Sequence, residues 1–348
     1  MKLASFNPRT RIALDFGHDR ILAAQSNRDA IRPAIQAAAM VGSSIFHADP
    51  TLGEAASEQE GSELRRVLRS AGFRGSECAI TLPSSAFLCD LADLPTATSR
   101  ELQESAAWEA VDRFGIDRDE LVTRTLPLAT MSLSGNSAPF LIVALRKSTA
   151  LFATDLVSSA GLEPVRLEHA ALAAIRTIWR RERVQSGSGQ IAALHVESAS
   201  ATLAVLNRGG LVVFHSFRMQ GATGSGERAS PANDPGSIPL ADGSSEADLA
   251  WHPFAEQVLT YMRHMERQHP GSWPERLVAT GPGAARAGLL DAVQSLCGIT
   301  CTLTCPSREF ALGPLSKDDG NLFAWASCLG SVLVDVPQPT VALQETMS

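Results

Sequence analysis

The sequence predicts an α/β protein built as two halves, each opening on a β-meander. Three stretches carry that prediction. Ile12-Ala13-Leu14-Asp15-Phe16-Gly17 alternates as a half-buried strand, turns at His18-Asp19-Arg20, and returns through Ile21-Leu22-Ala23-Ala24 as a hairpin. Ile191 to Val196, Ala201 to Leu206 and Leu211 to Phe217 read as three more strands, the last two joined by the hairpin turn Asn207-Arg208-Gly209-Gly210. Between these halves lies the flexible linker Gln185-Ser186-Gly187-Ser188-Gly189, the best domain boundary in the chain.

The remaining elements follow in order. Ala30 to Val41 is Ala-rich, and Ile45-Phe46 has the makings of a short strand. Ser62 to Ala71 is a helix with Leu64, Val67 and Leu68 on one side, closed by Gly72. Cys78 to Leu82 is a strand ending in the turn Pro83-Ser84-Ser85, and Phe87 to Leu94 alternates as a second strand that Pro95 stops. Thr98, with Glu101 three residues on, is a capping box that starts a helix with Leu102, Ala106, Ala110 and Phe114 along its stripe. Asp117 to Leu128 leads into a strand over Phe140 to Leu145, a helix over Thr149 to Ala160 and a short strand over Val165 to Leu167. Residues 78 to 167 thus form an α+β module of their own. His169 to Arg183 is a helix carrying Leu172, Ile175 and Trp179.

In the second half, Gly221 to Ala250 is rich in Gly, Ser, Pro and Asp and reads as a mobile loop. Phe254 to Gln268 is a helix, Leu277 to Ala279 a strand, Ala284 to Leu296 a helix after Thr280-Gly281-Pro282-Gly283, and Ile299 to Leu303 a strand. Asn321 to Val334 is an Ala-rich closing helix, and the tail after Pro337 is expected to fray.

Composition narrows the function classes. With 348 residues and 45% hydrophobic, the chain has room for two domains and is no disordered protein. A net charge of −7 and 19% charged residues argue against a nucleic-acid binder, which needs a basic face. The one basic cluster, Arg176 to Arg183, ends a helix, where cations complement the helix dipole. No apolar stretch follows Met1-Lys2, so no secretory signal is expected, and no apolar run reaches membrane-spanning length. A soluble, cytoplasmic protein is expected, touching a membrane only through a partner.

Few motifs carry chemistry. Cys297, Cys301 and Cys305 follow C-x3-C-x3-C along a strand, a spacing that suits buried thiols better than a metal site. His264 and His269 fall on different helix faces, so a zincin pair is absent. No G-x4-G-K-[ST] and no G-x-S-x-G occur, which excludes a P-loop ATPase and leaves Ser84-Ser85 without a hydrolase framework. Gly281-Pro282-Gly283 lacks the third glycine of a dinucleotide fingerprint, having Arg286 there; it serves either close ligand approach or a tight strand-to-helix turn. Asp15 and Gly17, at a strand end, suit a metal-bound water beside a phosphate, but alone the signal is weak, because Asp-x-Gly is also an ordinary turn signal.

The order of these features resembles the actin-like ATPases, and within them the type IV pilus assembly protein PilM family, relatives of FtsA. Ala79 to Leu94 followed by Pro95 is similar to that family's strand, Leu-Pro-Ser-Ser turn and Leu-Pro exit. Arg100-Glu101-Leu102 through Trp108-Glu109-Ala110 resembles its helix, and Ala144-Leu145-Arg146-Lys147 through Gly161-Leu162-Glu163-Pro164 its next segment. The resemblance implies an actin-like two-lobed ATPase fold. Residues 1–77 and 166–186 would form lobe 1 (subdomain 1A). Residues 78–165 would form the inserted 1C subdomain, and 190–336 lobe 2, with loop 221–250 replacing much of a reduced 2B and 337–348 a tail.

The resemblance also implies ATP and Mg²⁺ as cofactors, with Asp15 and Gly17 in the first phosphate loop and Gly281 and Gly283 against adenosine. The sequence departs from the family's pattern here. His18 and Leu22 replace the first loop's Ser and Lys, and His195 and Glu197 replace the second loop's Asp and Gly. Those changes weigh against ATP binding and more so against hydrolysis. The implied role is a cytoplasmic scaffold of a pilus or secretion assembly platform. It would bind the tail of an inner-membrane PilN-like protein in a groove between 1A and 1C. An active ATPase or small-molecule kinase of the same fold, and a GspL-like type II secretion cytoplasmic domain, are the alternatives.

Overall fold

The computed structural model describes residues 12–17, 19–27, 33–42, 58–95, 97–129, 137–185, 189–219, 246–306, 309–317 and 322–333. The expected strand at Ile45-Phe46, the centre of the linker, His18, most of loop 221–250 and the tail lie outside the described residues.

Two five-stranded sheets repeat one topology. In the first, β1 (Ile12–Phe16), β2 (Arg20–Ser26) and β3 (Ile35–Gly42) form an antiparallel meander. Parallel strands β4 (Glu77–Leu82) and β8 (Glu163–His169) extend it on the β1 side, giving the order β3-β2-β1-β4-β8. In the second, β9 (Ile191–Val196), β10 (Ser200–Asn207) and β11 (Gly210–Arg218) form the meander, and β12 (Arg276–Thr280) and β13 (Thr300–Leu303) extend it as β11-β10-β9-β12-β13. The Ala-rich stretch before Val41 is therefore an edge strand.

A third sheet, β5 (Phe87–Pro95), β7 (Ser137–Arg146) and β6 (Leu121–Pro127), stands apart as an antiparallel three-stranded module. Helix α2 (Ser99–Phe114) covers it through Ala106 and Ala110, and the Thr98–Glu101 capping box is present. Strand β6 was legible only as a lead-in, because Val122, Arg124 and Thr125 break up its apolar alternation. Strand β4 pairs with β1 from Ile12↔Cys78 to Asp15↔Thr81, so it belongs to the first sheet.

Period-two alternation sorts the side chains of each sheet. Ile12, Leu14 and Phe16 face a core shared with α1 (Glu58–Ser70), α3 (Lys147–Ser159) and α4 (Ala170–Gln185). That core continues to Ala193, Ala204 and Phe214, so α4 packs between the two sheets. Leu194, Val196 and Leu203 face the other way, onto α5 (Glu246–Gln268) and α6 (Leu289–Cys297). Helix α5 starts earlier than expected and runs through Pro253, which costs it one internal hydrogen bond. Helix α6 starts later, at Leu289, because Gly281 to Gly288 is used in tight turns.

The opposite face of the first sheet is closed by the end of the chain. Ala13, Leu22 and Ala24 pack on Phe310, Leu315, Trp325, Cys328 and Leu329. The Cys328 thiol donates to the carbonyls of Ala13 and Leu22. The expected closing helix is a 3-10 turn, Leu322–Trp325, followed by α7 (Ala326–Val332). This segment, late in the chain, thus packs on the first sheet. Gly330 allows the approach to α4: a Cβ there would fall 1.8 Å from the Ala173 carbonyl oxygen.

Buried charge fastens the same helix. Arg176 donates to Glu168 (2.6 Å) and to the Gly330 carbonyl (2.7 Å), and Arg166, 3.2 Å from Glu168, donates to Ser331. All three charged side chains are buried. Burial would raise the Glu168 carboxyl, but the two guanidiniums outweigh it and hold it down at about 2. The basic cluster is thus no simple solvated helix end. Arg176 is a core residue, and Arg181 reaches the Thr304 hydroxyl. The thiols also differ from expectation. Cys78, Cys297 and Cys328 are buried, while Cys89, Cys301 and Cys305 are only partly so, and Cys305 lies beyond the end of β13.

Candidate functional site

The carboxyl ends of the central parallel strands of both sheets meet at a cleft of about 560 Å³. Such strand ends, where connections leave to opposite sides, are where open α/β sheets bind ligands. Asp15 and Gly17 from the first hairpin line one wall, and His195, Glu197 and Ser200 from the second hairpin line the facing one. Pro282, Gly283, Arg286 and Ser327 of α7 line it as well.

Asp15 points to the α7 side because Ala13, two residues earlier, does so. It is buried and accepts a hydrogen bond from the Ser327 hydroxyl. Burial pushes its carboxyl up to about 7, the Ser327 hydroxyl opposes the shift, and the charges of Glu197 and Glu168 add to it. Gly17 lines the cleft, but its N–H closes the hairpin onto the Arg20 carbonyl at 2.8 Å.

The second hairpin repeats this geometry with other chemistry. The Glu197 N–H bonds the Ser200 carbonyl at 2.8 Å, as Gly17 does with Arg20. His195 pairs with Thr280 in the parallel register that Asp15 makes with Thr81. Position for position, His195 stands where the first half has Asp15, and Glu197 where it has Gly17. Burial lowers the His195 pKa, only partly countered by Glu197, and burial together with His195 takes His169 down to about 3. Both imidazoles are neutral at pH 7.

The Glu197 carboxylate spans the cleft. It accepts from the Ser84 backbone N–H at 3.1 and 3.2 Å and from the Ser200 hydroxyl at 2.7 Å, with His195 Nε2 4.0 Å away. Thr202 adds a second link, donating its hydroxyl to Ser84 Oγ at 3.3 Å.

The late glycine turn packs on this hairpin. A Cβ on Gly281, whose φ is +101°, would meet the Val196 carbonyl at 2.5 Å, and one on Gly283 the Glu197 carbonyl at 2.5 Å. The Gly283 N–H bonds the Val196 carbonyl at 2.9 Å. The two glycines are therefore required by the protein's own backbone, and only Gly283 of the pair lines the cleft. Beside them Arg286 donates to the Ser198 carbonyl at 2.9 Å and lies over the Trp251 ring at 5.5 Å. Burial lowers its pKa.

Sequence reasoning placed Asp15, Gly17 and Gly283 at the cleft. It missed Ser327, 312 positions from Asp15, for which no local signal exists. It also missed the Ser84 N–H as the partner of Glu197, although the Leu-Pro-Ser-Ser turn and the glutamate were both singled out.

No family model matches the sequence, and no curated protein matches it by sequence. Solved structures do. A chain of a PilM–PilN type IV pilus biogenesis complex is similar over 93% of this chain and 97% of its own, with 16% identity and a TM-score of 0.73. A Bacteroides thetaiotaomicron protein of actin-like ATPase fold is similar over 94% and 99%, with 12% identity and a TM-score of 0.50. The cytoplasmic domain of EpsL, from the type II secretion system of Vibrio cholerae, matches over 79% and 83%, with 11% identity and a TM-score of 0.45. The chain has the actin-like ATPase fold.

Proposed function

We propose that the chain is an actin-like scaffold of a type IV pilus or related secretion assembly platform. In this reading it binds the cytoplasmic tail of an inner-membrane PilN-like protein. The observation that carries the reading is the likeness to a chain of the PilM–PilN complex along 93% of this chain. We assign β1–β4, β8, α4 and α7 to the 1A lobe, β5–β7 and α2 to 1C, and β9–β13 with α5 and α6 to the second lobe. The tail would lie as an extended segment in the groove between the first two. No helix among the described residues is long and apolar enough to cross a membrane, so attachment through a partner fits.

The cleft supports a scaffold over a motor. ATP with Mg²⁺ needs backbone donors free for phosphates and a carboxylate ready for a hydrated cation. Here the Gly17 and Gly283 N–H groups are bonded within the chain, Ser84 N–H is taken by Glu197, and burial raises the Asp15 carboxyl to about 7. These contacts weigh against a bound triphosphate.

Immobilised N-terminal peptide of the neighbouring inner-membrane protein should retain the chain at low to middle micromolar concentration. Absence of binding at several hundred micromolar would sink the scaffold reading. An active ATPase or kinase is the competing reading, favoured by the size of the cleft and the placement of Asp15. Titration with labelled ATP and Mg²⁺ decides between them: tight binding that Asp15→Ala abolishes would establish the enzyme.

A further inference from the structure

We infer that the Glu197 side chain is a built-in occupant of an anion cradle between the two lobes, holding the Ser84 backbone donor that a bound oxyanion would otherwise take.

The duplication of the two halves supplies the argument. After β12, Pro282-Gly283 turns back onto its own lobe, and the Gly283 N–H bonds the Val196 carbonyl at 2.9 Å. After β4, Pro83-Ser84 occupies the matching place, because Thr81 and Thr280 hold equivalent registers. The Ser84 N–H does not turn back. It donates across the cleft to both oxygens of Glu197, 113 residues away. A donor that its own lobe leaves unused, at the start of a turn, is suited to an oxyanion.

The occupant is equally specific. Glu197 stands where the first half has Gly17, a position with no side chain to cross the cleft. Its carboxylate also accepts from Ser200, and its side chain is only 12% exposed although it lines the cleft. Burial lowers the pKa of His195, the imidazole 4.0 Å from Glu197, so this ring does not replace the backbone donor as the carboxylate's partner. An acetate-like group covalently supplied by the chain thus bridges the lobes with no diffusible ligand. This inference does not depend on the partner proposed above.

The test uses inorganic pyrophosphate as the probe, measured by calorimetry on the full chain. Glu197→Ala frees the Ser84 N–H and the Ser200 hydroxyl and removes a negative charge. It should bind pyrophosphate at least tenfold more tightly than the unaltered chain. Glu197→Gln keeps the shape and removes the charge, so it should fall between the two, and it carries the same comparison should the alanine variant fail to fold. Hydrogen exchange at the Ser84 amide should speed up at least tenfold in Glu197→Ala and slow again with pyrophosphate. Equal affinity for pyrophosphate across the three proteins overturns the inference, and so does unchanged exchange at Ser84.

Discussion

Glu168→Gln will destabilise the protein by about 3–5 kcal/mol, the cost typical of breaking a buried ion pair by removing one partner. The substitution preserves volume and leaves Arg166 and Arg176 buried beside a neutral amide. Their hydrogen bonds to Ser331 and Gly330 hold α7, so the loss spreads to the helix that carries Ser327. The pH dependence follows from the depressed carboxyl. Its ordinary value is 4.5 and its folded value about 2, so the unfolded chain takes up the proton first as pH falls. The stabilisation is complete above 4.5 and is lost as pH falls through 2. Urea unfolding at pH 7 and at pH 3 should show the gap between the two proteins narrowing at the lower pH. A gap under 1 kcal/mol at pH 7 would mean that the triad does not fasten α7.

Asp15→Asn should act in the opposite direction. The carboxyl's ordinary value is 3.8 and its folded value about 7, so the folded chain holds the proton more tightly. Stability from this group is fully present below 3.8 and is lost as pH rises to 7. At about 1.4 kcal/mol per unit, the loss at pH 8 is on the order of 4 kcal/mol. Asparagine is neutral at every pH and still offers an oxygen to the Ser327 hydroxyl. The variant should therefore unfold at higher urea than the unaltered chain at pH 8, with the difference shrinking toward pH 4. Equal midpoints at pH 8 would show that the carboxylate is well solvated in the cleft. The result also bears on function, since a carboxylate that resists ionisation is a weak partner for a cation.

Elements whose signal is local were legible in the sequence. The hairpins at Asp15 and at Asn207 announced themselves by alternation and turn residues, and the Thr98–Glu101 box marked the start of α2 to the residue. The Leu-Pro-Ser-Ser turn with its flanking strands pointed to the insert, and the order of the two meanders pointed to the actin-like fold. Elements whose support is distant were not legible. Strand β6 lacks alternation because a polar residue, Thr123, is buried while the apolar Val122 is only partly covered, and α6 starts late because Gly281 to Gly288 answers to the β9–β10 hairpin.

The chain's local chemistry by itself determined where its strands turn, which glycines and carboxylates stand at strand ends, and that the second loop carries His195 and Glu197 in place of Asp and Gly. Only the tertiary structure decided what those residues meet. Pairing β1 with β4 brings Asp15 beside Thr81, and the return of α7 to the first lobe brings Ser327 to Asp15. The opposition of the two hairpins delivers Glu197 to the Ser84 N–H. A carboxylate's partners are set by which backbones converge around it, and here they come from segments more than a hundred residues apart, beyond the reach of any local pattern.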